Sequence, residues 1–120
     1  MKVLIWSVSL VALAALPLAG FQDAGPYKVG DGVSAPVLLN KVEPRYTEPA
    51  REAKIQGTVV LTVVVGVDGF ARDVKVARSL DRGLDDSAIQ SVLQWIFKPG
   101  EKDGKPVDVQ ATVEINFKLN

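Results

Sequence analysis

The chain has 120 residues, 14 of them basic and 14 acidic, with no cysteine and no histidine. That length suits one small domain, and the missing cysteines exclude both a disulfide framework and a thiolate metal site. Without histidine the side chain best suited to proton transfer near neutrality is absent, and balanced charges without a basic block leave no electrostatic footprint for nucleic acid.

Residues 1–20 read as an export signal. Met1-Lys2 gives a weak positive start, Val3 to Leu16 is apolar apart from Ser7 and Ser9, and Pro17-Leu18-Ala19-Gly20 breaks the helix with small residues. Cleavage is expected near Ala19 or Gly20, with Ala24 a further option. An uncleaved anchor is the competing reading, because Val3 to Phe21 approaches the length of about 20 residues that spans a bilayer. Loss of Lys2 leaves 14 − 1 = 13 basic against 14 acidic residues, close to neutral. Residues 21–41 follow as a linker, rich in turn formers (Gly25, Pro26, Gly30, Gly32, Pro36) and without periodicity, and are expected to be extended or disordered.

The folded domain is expected over residues 42–120. Thr47 can cap a short helix over Thr47 to Lys54, with Pro49 in its first turn and Gly57 ending it. Thr58 to Val67 is a valine-rich run that reads as a central strand buried on both faces. Asp68-Gly69 is a hairpin signal, and Phe70 to Ser79 returns with Val74 and Val76 inward. Leu84 to Phe97 carries apolar residues at helical spacing, with Asp85 and Asp86 at the positive end of its dipole. After a polar turn at Asp103-Gly104, every second residue from Val107 to Leu119 is apolar. Such a strand has a dry face and a wet face, spans roughly 40 Å at about 3.3 Å per residue, and leaves an outer backbone edge that can accept a strand from another protein. The order helix, strand, strand, helix, strand predicts an α+β fold: a three-stranded antiparallel sheet with both helices on one face.

Several groups have a sharp and a bland reading. Trp95 and Phe97 are read as core rather than as a contact patch. Asp81, Asp85 and Asp86 are read as helix caps rather than as a cation site, because no loop with alternating oxygen ligands surrounds them. Lys98, Lys102 and Lys105 are read as a solvated loop face. No serine has a histidine to activate it and no carboxylate pair stands apart, so the chain is read as a non-enzyme without cofactor, metal or small-molecule substrate.

Residues 42–119 also carry a set of short motifs in a fixed order. Pro44-Arg45-Tyr46 comes first, then Gly57-Thr-Val-Val-Leu-Thr-Val-Val-Val65, the turn Val67-Asp68-Gly69, and Val74-x-Val76-x-x-Ser79. Leu84-Asp85-x-x-Ala88, Trp95-Ile96-Phe97-Lys98-Pro99 and Asp103-Gly104-Lys105-Pro106-Val107 follow, before the alternating final strand. This set resembles the C-terminal domain of the TonB family of energy transducers. The resemblance implies a periplasmic domain that binds the Ton box peptide of outer-membrane TonB-dependent transporters, or another extended segment, by strand addition. By position the implied contacts are Glu43, Pro44, Arg45 and Tyr46, together with Val113, Glu114, Ile115, Asn116, Phe117 and Lys118; Pro44-Arg45-Tyr46 reads equally well as an anchor where the chain enters the domain. Family members couple to a proton-driven motor through a histidine on a membrane anchor and carry a long spacer; this sequence has no histidine, and residues 22–41 are far shorter. The alternatives that follow are a free envelope module that binds without transducing energy, and a homodimer through the final strand.

Overall fold

The computed structural model describes residues 25–120, so the expected leader and its cleavage lie outside the described residues. Elements in chain order are β1 (Tyr27–Lys28), β2 (Val37–Asn40), α1 (Glu48–Glu52), β3 (Gly57–Val65), β4 (Ala71–Arg78), α2 (Arg82–Val92), β5 (Ile96–Lys98), β6 (Glu101–Lys102), β7 (Lys105–Pro106) and β8 (Val109–Phe117). The fold is α+β. Its main sheet has the order β1-β8-β3-β4, in which β4, β3 and β8 form an antiparallel trio and β1 adds a short parallel strand.

Alternation in β3 and β8 builds the core. The two strands pair one for one from Gly57 opposite Phe117 to Val65 opposite Val109, so partners share a face. Val59, Leu61, Val63 and Val65 of β3 meet Val113, Ile115 and Phe117 of β8 in one buried cluster with Ala50 of α1 and Leu84, Ala88 and Val92 of α2. The expected burial of β3 on both faces holds only in part, since Thr58, Val60 and Thr62 on the far side are half-buried. On β4, Val74 packs against the core, whereas Val76, expected inward, stays 39% exposed on this edge strand.

Thr47 and Asp81 cap the two helices, and with Asp81 as its cap the second starts at Arg82, two residues before the expected Leu84. Thr47 Oγ1 accepts the Ala50 amide at 3.3 Å, and Asp81 Oδ2 accepts the Leu84 amide at 3.1 Å. Asp85 is buried and turns back onto the preceding loop, accepting the Leu80 amide at 3.0 Å and the Ser79 hydroxyl. The helix expected to run to Phe97 ends at Val92 with Leu93 as its cap. Ile96–Lys98 instead pairs antiparallel with Val37–Asn40, and the Phe97 amide donates to the Gly69 carbonyl at 2.8 Å. Tertiary pairing outweighs the helical period there, and Pro99 disfavours helix at Lys98. Trp95 and Phe97 are buried, as expected.

The final strand is shorter than its alternation suggests. It begins at Val109, because Val107 donates to Gly100 in a turn, and ends at Phe117, the partner of the first β3 residue. The segment 25–41, expected to be extended or disordered, is extended on either side of a turn at 30–33, and three of its parts lie on the domain. Tyr27–Lys28 pairs with Val109–Gln110, the buried Val33 bridges to Lys102, and β2 pairs with β5.

Candidate functional site

Two edges of the main sheet could receive another strand, and they differ in construction. On β4 the register shifts twice against β3, Asp73 sits at φ 51°, and Arg72, Asp73, Lys75 and Arg78 are exposed. Bulges and exposed charge are the devices that discourage pairing on an edge. The outer edge of β8 has no bulge, and within the strand it carries a single charged side chain, Glu114. Its register against β3 is unbroken over nine residues, and its outer neighbour β1 covers only Val109 and Gln110.

One hydrogen bond fixes which backbone groups of β8 face outward. The Tyr27 amide donates to the Asp108 carbonyl at 2.9 Å, so the groups of Asp108 point toward β1. Along a strand the N–H and C=O of successive residues point to alternate sides. The backbone groups of Thr112, Glu114 and Asn116 therefore face the open edge, and those of Val113, Ile115 and Phe117 face β3. Side chains divide the other way. Val113, Ile115 and Phe117 are buried in the core, whereas Glu114, Asn116 and Lys118 are exposed.

The lead-in segment 42–46 reaches the same strand. Tyr46 meets Phe117 edge to face, with ring centroids 5.6 Å apart, and its hydroxyl donates to the Ile55 carbonyl. The Arg51 guanidinium lies over the Tyr46 ring, 5.3 Å from its centroid. The segment is held from α2: the Val42 carbonyl accepts from Trp95 Nε1 at 2.8 Å and from the Ser91 hydroxyl, and the Arg45 carbonyl accepts from Ser87. Glu43, Pro44 and Arg45 then line a shallow cleft against Asp86, Gln90 and Gln94. Of the residues the sequence singled out, Tyr46 and Phe117 are brought into contact, Glu43 to Arg45 form a rim on α2, Val113 to Phe117 lie on β8, and Lys118 follows its last residue.

Sequence reasoning passed over Ser87 and Ser91 and read Trp95 only as core, yet the three hold the lead-in segment. Their spacing of four residues puts them on one side of α2 and its C-terminal extension, a stripe that could have revealed them. It also passed over Tyr27 and Lys28, for which two residues offer no periodicity.

At the head of β8, Asp108 joins the strand to the β3–β4 turn. It accepts from Arg72 Nη2 at 2.8 Å and from the Val67 amide at 3.0 Å. The Arg72 hydrogen bond holds the Asp108 carboxyl below the ordinary carboxylate range, against the opposing effect of burial. The same bond raises Arg72. Among the described residues no three His, Cys, Asp or Glu side chains are grouped to hold a metal ion.

Residues 42–119 match the family described as Gram-negative bacterial TonB protein C-terminal. The chain is 33% identical over 107 residues to Protein TonB of Vibrio cholerae serotype O1, covering 82% of this chain and 44% of that protein. It is likewise 33% identical over 82 residues to Protein TonB of Xanthomonas campestris pv. campestris, covering 68% of this chain and 37% of that one. The chain thus spans less than half the length of these relatives. The solution structure of the Pseudomonas aeruginosa TonB C-terminal domain superposes with a TM-score of 0.60 at 27% identity, covering 78% of this chain and 93% of that one. Fold, motif order and the extent of the match agree: this chain belongs to the TonB C-terminal domain family.

Proposed function

We propose that this domain works in the Gram-negative cell envelope, where it docks the Ton box segment of an outer-membrane TonB-dependent transporter as an added strand on β8. The observation that carries this reading is the row of outward backbone groups at Thr112, Glu114 and Asn116, beside a lead-in segment tied to the same strand through Tyr46 and Phe117. Backbone hydrogen bonds supply affinity, and alternate side chains supply selectivity. Residues of the docked strand on the core side meet the flank of Tyr46. Those on the other side meet Glu114, Asn116 and Lys118. The role is binding in TonB-dependent transport, without a chemical step.

The test uses a proline at the edge. Proline removes one N–H, which a strand tolerates only where that N–H faces away from its partner. Glu114→Pro is expected to remain folded by circular dichroism and to lose calorimetric binding of a synthetic Ton box peptide. Undiminished binding to that variant overturns the proposal. A second copy of the chain could occupy the same edge, and a concentration-dependent dimer in sedimentation that Glu114→Pro abolishes would assign the edge to self-pairing.

A further inference from the structure

The segment 25–36 lies along the same side of β8 that the proposed docking would use. It runs parallel to the strand at Tyr27 opposite Val109 and Lys28 opposite Gln110, then turns away through Gly30 and Val33. Its return is fastened. Val33 is buried, the Ser34 amide donates to the Glu101 carbonyl at 2.9 Å, and the Glu101 amide donates to Ser34 Oγ at 2.9 Å. The domain side is shaped to receive it: a Cβ on Gly100 would meet the Ser34 carbonyl oxygen, and would lie 2.7 Å from Val109 Cγ2. Lys102 Nζ lies 4.6 Å from the centroid of the Tyr27 ring. Between this strap and β8 a cleft opens at Ala111 and Thr112, walled on the strap side by Val29, Ala35 and Pro36.

We infer that the strap is an end-stop that sets the length and register of the strand β8 accepts. Resting on the docking proposal, this inference names what bounds the site. With the strap seated, the outward groups of Asp108 and Gln110 are engaged by β1, and a docked strand runs only from the cleft at Thr112 to Phe117. With the strap released, the edge lengthens to Val109, the full nine residues of β8. Pro36 and Val29 stand where the backbone of a longer strand would pass. The strap is therefore a specificity determinant, acting by exclusion as well as by contact.

The test compares three probes on the full chain: a six-residue Ton box peptide, and the same peptide extended by three residues at its N-terminus or at its C-terminus. The strap is loosened in two independent ways. Val33→Asp with Ser34→Pro removes its buried anchor and the hydrogen bonds between Ser34 and Glu101, and Tyr27→Pro removes the donor to Asp108. Neither change touches the core cluster of the sheet and helices. Loosening is expected to leave the affinity of the six-residue probe within about twofold. One extended probe, the one that runs toward Val109, is expected to gain about tenfold, as one or two added backbone hydrogen bonds provide. If all three affinities are unchanged in both variants, the strap is not a stop and the inference falls while docking stands. If no probe binds any form of the protein, docking itself fails and the inference fails with it.

Discussion

The Tyr46 ring stands edge-on to Phe117, with centroids 5.6 Å apart and ring planes 88° to one another. One ring belongs to the lead-in segment and the other to the last residue of β8, so a single contact ties the start of the domain to its end. The Tyr46 hydroxyl is separately spent on the Ile55 carbonyl. Tyr46→Phe is expected to cost about 1 kcal/mol by loss of that bond. Tyr46→Ala removes the ring contact as well and is expected to cost about 3 kcal/mol. Urea denaturation followed by circular dichroism measures both.

Trp95 acts on the lead-in segment from the other side. Its Nε1–H donates to the Val42 carbonyl at 2.8 Å and lies 3.1 Å from Ser91 Oγ. Trp95→Phe keeps most of the buried volume and removes the donor. The expected result is a loss of about 1 kcal/mol, with amide exchange accelerated across residues 42–46. Unchanged exchange there would show that Ser87 and Ser91 suffice.

Gly69 cannot be replaced without moving β5. It sits at φ 87°, and a Cβ would lie 2.6 Å from the Phe97 carbonyl oxygen. Gly69→Ala is expected to cost about 2–3 kcal/mol through backbone strain and the clash. Thermal denaturation gives the value, and the same change at the open turn residue Gly104, where nothing lies within 4 Å, isolates the strain alone.

These residues also show what the sequence made legible. The valine run of β3, the alternation of β8, the Asp68-Gly69 turn and the Thr47 cap are local signals; each marks its element, although β3 is only half-buried on its far side and β8 is shorter than its alternation. The end of α2 was not legible, because Ile96 continues the spacing of Ile89 and Val92 while its real partner, Asn40, lies far back in the chain. Val37-Leu38-Leu39 was passed over as linker because all four residues of β2 are exposed and show no alternation. For the site, alternation pointed to an open edge on the last strand. Which amides face outward became evident only from Tyr27 donating to Asp108, a pairing no local pattern encodes.

Asp108 gives a pH dependence of defined sign. Its carboxyl is held below the ordinary range, chiefly by the hydrogen bond from Arg72. Stability from a depressed carboxylate is fully present above the unfolded value of about 3.9 and is lost as pH falls through the lower folded value. Asp108→Asn is expected to cost about 1 kcal/mol at neutral pH, a modest figure because Arg72 is well exposed. The Tm difference between wild type and variant should shrink as pH is lowered from 7 to below 3.9. A difference near zero at every pH would mean that the Val67 bond, which asparagine can keep, is the whole of the contribution.

The most direct test of the account is amide hydrogen exchange along β8 with and without a bound Ton box peptide. The account requires the amides of Thr112, Glu114 and Asn116 to exchange quickly in the free domain and to slow on binding. Those of Val113, Ile115 and Phe117 should be slow in both states because they face β3. Peptide-induced protection confined to β4, or to the cleft between the lead-in segment and α2, would contradict strand addition on β8.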